Sequence, residues 1–66
     1  MQILVNGNPT ELQDETAMSV LIEHLGLAGQ RIAVEVNADL VPRSRFDAHV
    51  LREGDRVEII HAVGGG

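Results

Sequence analysis

Only one stretch of this sequence has the spacing of a helix. Met18, Leu21, Ile22 and Leu25 fall at i, i+3, i+4 and i+7, which places four apolar side chains on one stripe. A short helix of this kind is marginal alone in water and forms when its stripe is laid on another element. Thr16 stands where an N-cap hydroxyl would be, and Gly26 where a left-handed glycine would end the helix. The remaining segments must therefore supply a single surface to receive it.

They read as strands. Ile3 and Val5 alternate with Gln2 and Asn6, and Leu4 is an apolar residue on the polar side. Asn6-Gly7 is a strong hairpin signal, and Pro9 opens a returning strand that runs to about Gln13 and suits a sheet edge. Ile32, Val34 and Val36 alternate with Ala33, Glu35 and Asn37 to give a third strand, after which Asn37-Ala38-Asp39 turns the chain. Leu40-Val41 can pair until Pro42, and residues 43–49 read as a short helical turn anchored by Phe46. Glu53-Gly54-Asp55 turns into a last strand in which Val57 and Ile59 face inward.

The order is strand, strand, helix, strand, strand, strand. This is an α+β pattern, a mixed sheet of four to five strands with one helix packed across it. In 66 residues it points to the β-grasp, or ubiquitin-like, arrangement, with the last strand beside the first. A ferredoxin-like half would need a second helix of comparable length. One domain, residues 1–63, is expected, burying roughly 60% of the unfolded chain's surface, which leaves little room for an active-site cleft.

Residues 64–66 stand apart as a flexible glycine tail. Val63-Gly64-Gly65-Gly66 directly follows the strand-like run Val57 to Ala62. Glycine has no side chain to pack and maximal backbone freedom, so a terminal run reads as a threadable arm carrying a free α-carboxylate. A Cβ on either of the last two residues would obstruct a partner enzyme working on that carboxylate. The competing reading is a frayed terminus without function.

Composition excludes several classes. The formal net charge of −5 argues against a nucleic-acid partner, and Phe46 is the sole aromatic residue, so no stacking platform exists. No apolar run is long enough to span a bilayer, and Met1 to Val5 lacks the basic flank and cleavage site of a signal peptide, so a cytoplasmic location is expected. There is no cysteine, hence no disulfide and no thiol to carry a group. All five basic residues are Arg, which leaves no lysine amine to be acylated by a neighbouring activated chain, although Arg-for-Lys bias in the source genome is the plainer cause. His24, His49 and His61 lie on separate elements without metal-ligand spacing, and Ser19 and Ser44 lack a nucleophile signature, so neither a metal site nor hydrolase chemistry is expected.

The whole chain resembles the sulfur carrier proteins of thiamin biosynthesis. The resemblance is carried by Met1-Gln2-Ile3-Leu4-Val5-Asn6-Gly7, by Ala33 to Asn37 followed by Val41-Pro42-Arg43 and Phe46, by Glu53-Gly54-Asp55 with Val57-Glu58-Ile59, and by the Gly65-Gly66 end. It implies a protein co-substrate, not a catalyst. An adenylating enzyme related to the ubiquitin-activating enzymes would use ATP and Mg²⁺ to convert the Gly66 carboxylate into an acyl-adenylate, with Gly64 and Gly65 threading the active site. Persulfide sulfur from a cysteine desulfurase pathway would displace AMP and leave a thiocarboxylate, which thiazole synthase would consume. This chain itself would bind no cofactor.

Three readings from other classes compete: a subunit-type sulfur carrier, the small subunit of molybdopterin synthase, which shares the fold and the diglycine end; a protein modifier that conjugates to target lysines; and a non-covalent interaction module whose glycines are inert. The first tends to be longer and to carry prolines before its tail. Strand parity also suggests a docking surface. Leu4, Ala33, Ile60 and Ala62 share the outward parity of neighbouring strands, where polar residues are expected, and are read as one greasy patch beside the tail with Gln2, Glu35 and Glu58 as its rim.

Overall fold

The computed structural model describes residues 1–62. The chain forms β1 (Gln2–Val5), β2 (Asn8–Glu11), α1 (Met18–His24), β3 (Ile32–Val36), β4 (Asp39–Val41), a 3₁₀ turn (Arg43–Arg45) and β5 (Arg56–His61). The five strands make one sheet in the order β2-β1-β5-β3-β4. β5 runs parallel to β1 and antiparallel to β3, so the last strand is central and the first lies against it. The two hairpins flank this centre, and Pro9 sits on the edge strand β2, where its missing N–H costs no ladder bond.

The core lies between the sheet and α1. Ile3, Val5, Val34, Val36, Val57 and Ile59 point inward from the strands and meet Met18, Leu21 and Ile22 of the helix. Phe46 is buried as expected, and Leu51, which no periodicity marks, is almost fully buried beside it in the same cluster. Both hairpin turns place two consecutive residues at positive φ, Asn6 and Gly7 in one and Asn37 and Ala38 in the other. These are the turns whose twist matches the flanking strands.

The two ends of α1 differ from the sequence expectation. Thr16 is not the cap: its hydroxyl donates to the Gln13 carbonyl at 2.6 Å, and Ala17 takes the N-cap position without a side-chain bond. The first helical amides are met by distant carbonyls instead. Met18 N–H donates to His49 and Ser19 N–H to Phe46, at 2.8 and 3.1 Å. The 46–51 segment thus caps the helix through space, and Leu51 N–H returns a bond to the Thr16 carbonyl at 2.8 Å.

At the other end, Leu25 leaves the apolar stripe and is 40% exposed. The helix stops at His24, and Gly26 at φ 73 reverses the chain. Leu27 N–H then bonds the Ile22 carbonyl and Gly26 N–H the Glu23 carbonyl, both at 3.0 Å, the paired bonds of a Schellman cap. Leu27 packs against the core in place of Leu25.

Met18 is fully buried in the cluster that the helix shares with the strands. Met18→Ala is expected to cost about 2–5 kcal/mol in urea unfolding, the usual range for emptying a buried large apolar site. Ile60→Ala on the exposed face should stay within about 0.5 kcal/mol of the wild type.

Candidate functional site

The chemistry suggested by the sequence lies at the exit of β5, so the site begins with what holds that strand. On the β3 side, Ala33 stands opposite Ile60 and Ile32 opposite His61, and Ala62 N–H donates to the Arg31 carbonyl at 2.9 Å. The loop before β3 adds a brace. Gln30 Oε1 lies 3.2 Å from His61 Nε2, and the Arg43 guanidinium donates to the Gln30 carbonyl. Gly64, Gly65 and Gly66 lie outside the described residues, as do their expected roles in threading and modification.

The entry of β5 is organised by Asp55, a buried carboxylate. Its Oδ2 accepts the Arg52 N–H at 2.9 Å and its Oδ1 accepts from Asn37 Nδ2 at 3.0 Å. Asn37 Oδ1 in turn accepts the Arg56 N–H at 3.0 Å. The turn before β5 is also tied to β1, since Glu53 Oε1 accepts the Gln2 N–H at 3.0 Å and Gly54 N–H donates to the Gln2 carbonyl at 2.8 Å. Every buried side-chain polar atom among the described residues has a partner.

The outer face of the sheet separates residues that parity alone had grouped. Ala33 and Ile60 are cross-strand partners, Ile60 is 55% exposed, and Ala62 follows on the same strand edge. Leu4 is half-buried and lies opposite Arg56, with Pro9 on its other side. It is four residues from Ile60 along β5, or about 13 Å at the strand rise of about 3.3 Å per residue. Arg56 and Glu58 occupy the interval, so the four residues do not form one continuous patch. The cause is the parallel register of β1 on β5, which sets Leu4 opposite Arg56. Leu40, 66% exposed and opposite Glu35, lies diagonal to Ala33 and extends the apolar surface on the β4 side.

Two open hollows, of about 380 and about 230 Å³, are lined by neither Ile60, His61 nor Ala62. The larger is bordered by Leu40, Arg45, His49, Arg52 and Asp55, and the smaller by Ile22, Arg43 and Phe46 among others. Among the described residues no group of three or more His, Asp or Glu is placed to hold a metal ion, and no helix is long and apolar enough to cross a membrane. The Gln30–His61 and Arg43–Gln30 contacts join residues 31 and 13 positions apart and left no local signal in the sequence. Leu40 could have been found by carrying the β4 alternation outward from buried Val41.

A mixed five-stranded sheet with the parallel first and last strands at its centre and one helix across it is a β-grasp fold. The family model described as ThiS family matches residues 3–66, and the chain belongs to that family. A crystal structure of the thiamine biosynthesis protein ThiS from Geobacter metallireducens superposes with a TM-score of 0.86 at 32% identity, each chain covered completely. The sulfur carrier protein ThiS of Escherichia coli is 27% identical over 66 residues, again over the full length of both. A thiazole synthase of Magnetococcus marinus is 39% identical over the same 66 residues, and the chain spans 20% of that protein's length.

The Asp55 network yields a stability test. Asp55→Ala would strand the Arg52 amide and the Asn37 carboxamide, and should lower unfolding free energy by about 1–3 kcal/mol in urea titration. Asp55→Asn, which keeps one acceptor, should lose less.

Proposed function

We propose that this chain is a sulfur carrier of thiamin biosynthesis, a protein co-substrate whose Gly66 carboxylate is adenylated and then converted to a thiocarboxylate. The observation that carries this reading is the family match, which runs from residue 3 through residue 66 and so includes the glycine tail. The charge and fold agree with a partner-directed role. The chain has no cysteine, so sulfur carried by it must reside elsewhere than on a side-chain thiol. A carboxylate is a poor electrophile; AMP as leaving group makes attack by a persulfide feasible, the acyl disulfide so formed is cleaved at its S–S bond by a reducing thiol, and the product is a thiocarboxylate, a protected sulfur nucleophile. ATP and Mg²⁺ belong to the adenylating partner, which resembles a ubiquitin-activating enzyme, and the sulfur derives from a cysteine desulfurase pathway in the cytoplasm.

Thiazole synthase is the proposed acceptor. Support comes from the Magnetococcus marinus thiazole synthase, a much longer protein that contains a segment similar to this whole chain. The docking surface is proposed to be Ala33, Ile60 and Ala62 together with Leu40, and Leu4 is a separate, half-buried contact.

Incubation of the full chain with ATP, a sulfur donor and the adenylating enzyme should replace one carboxylate oxygen by sulfur, localised to Gly66 by fragmentation mass spectrometry. Deleting Gly66 should abolish the product and leave thermal unfolding nearly unchanged. Sulfur on side chains, or none at all, would sink the carrier reading.

The docking surface is tested apart from the chemistry. Ile60→Asp should keep the melting temperature of the wild type and weaken the complex with the adenylating enzyme by about tenfold or more, as for loss of an interface anchor. Leu4→Asp should weaken it less. A folded Ile60→Asp chain binding with unchanged affinity would remove the patch from the interface.

A further inference from the structure

The parallel ladder between β1 and β5 is completed by a side chain. Leu4 N–H donates to the Asp55 carbonyl at 2.9 Å and Asn6 N–H to the Val57 carbonyl at 2.8 Å. In a parallel ladder the alternate residues of one strand both donate to and accept from the same neighbour, so Ile59 is next in the series. It needs a carbonyl for its N–H and an amide for its C=O. The main chain of β1 cannot provide them, because Asn6 at φ 49 and Gly7 at φ 82 have already turned away toward β2. The Asn6 carboxamide provides both: Oδ1 accepts the Ile59 N–H at 2.7 Å and Nδ2 donates to the Ile59 carbonyl at 3.3 Å. A carboxamide has the donor and acceptor of a peptide unit, and few other short side chains do.

We propose that Asn6 is a positioning residue for the reaction at the carboxyl end, its carboxamide standing in for the peptide unit that β1 withholds and so setting the line along which β5 leads toward the glycines. Ile59 is the last β5 residue bonded on the β1 side; beyond it the described partners of Ile60, His61 and Ala62 all come from β3, the Arg31 carbonyl and the Gln30 side chain. Without the Asn6 bonds, β5 beyond Val57 would be held along one edge only and free to pivot about it. The inference rests on the reading of the chain as an activated carrier.

Asn37 supplies an internal control. It occupies the equivalent turn position at φ 51, donates its N–H to the Arg56 carbonyl at 2.8 Å and accepts the Arg56 N–H on Oδ1 at 3.0 Å. It is thus stitched to β5 at the entry of the strand, whereas Asn6 is stitched near the exit. A role that is only structural predicts similar consequences from the two, and a positioning role predicts consequences at the tail from Asn6 alone.

The test compares Asn6→Gly with Asn37→Gly in the full chain. Glycine accepts positive φ, so each turn survives and only the carboxamide is lost. With the adenylating enzyme, ATP–pyrophosphate exchange should show KM for the Asn6→Gly carrier raised about tenfold with kcat nearly unchanged, and KM for Asn37→Gly within about twofold of wild type. Amide hydrogen exchange by NMR should quicken about tenfold at Ile59 to Ala62 in Asn6→Gly and stay at the wild-type rate there in Asn37→Gly. Asn6→Asp, which keeps the acceptor for Ile59 N–H and loses the donor, should fall between, and it replaces Asn6→Gly if that chain does not fold. Equal effects of the two asparagines on KM and on exchange at Ile59 to Ala62 would overturn the proposal. If the wild-type chain is not adenylated, the carrier reading fails, and the exchange comparison still decides whether Asn6 governs the strand exit.

Discussion

The structure depends on β5 being paired along both edges. Among the described strands it alone touches both hairpins, and its inward residues Val57 and Ile59 close the core against α1. Its neighbours come from opposite ends of the sequence, β1 from the first residues and β3 from the middle. The sheet therefore cannot be completed until the last strand is in place. Pairings of such long sequence separation carry the loop-closure cost early and return it late, so the fold should assemble as one cooperative unit.

The helix shows how far that cooperativity extends. Seven residues of helix are too few to persist alone in water. α1 exists because its apolar face is buried and because carbonyls of Phe46 and His49 accept its leading amides. The same irregular segment places Phe46 and Leu51 in the core. The helix and the 46–51 segment that leads toward β5 thus share hydrogen bonds and buried surface.

The central strand also separates the folded body from the place where chemistry is proposed. The two hollows are not lined by Ile60, His61 or Ala62, and the polar contacts around these residues, from Gln30, Arg31 and Arg43, hold the strand. What the fold must supply is the position and direction of the strand exit, and the hydrogen bonds along both edges of β5 supply them up to Ile59 on one side and Ala62 on the other.

The local features were legible in the residues themselves. Alternation placed Ile3, Val5, Val34, Val36, Val57 and Ile59 inward, the Asn-Gly and Asn-Ala turns marked both hairpins, Gly26 marked the helix end, and one helical stripe among strands was enough for the β-grasp order. These depend on neighbours within a few positions, where periodicity and turn geometry act. What failed or stayed hidden depended on contacts across the chain. Thr16 lost the cap to carbonyls some thirty residues away, Leu27 displaced Leu25 through the Schellman turn, and Leu51 and Asp55 became buried without any periodic signal. The outward parity of Leu4, Ala33, Ile60 and Ala62 was readable, but parity says only which face a residue occupies. Register decides which residues meet, and the register here, with Leu4 opposite Arg56 and Ala33 opposite Ile60, is a fact of tertiary hydrogen bonding.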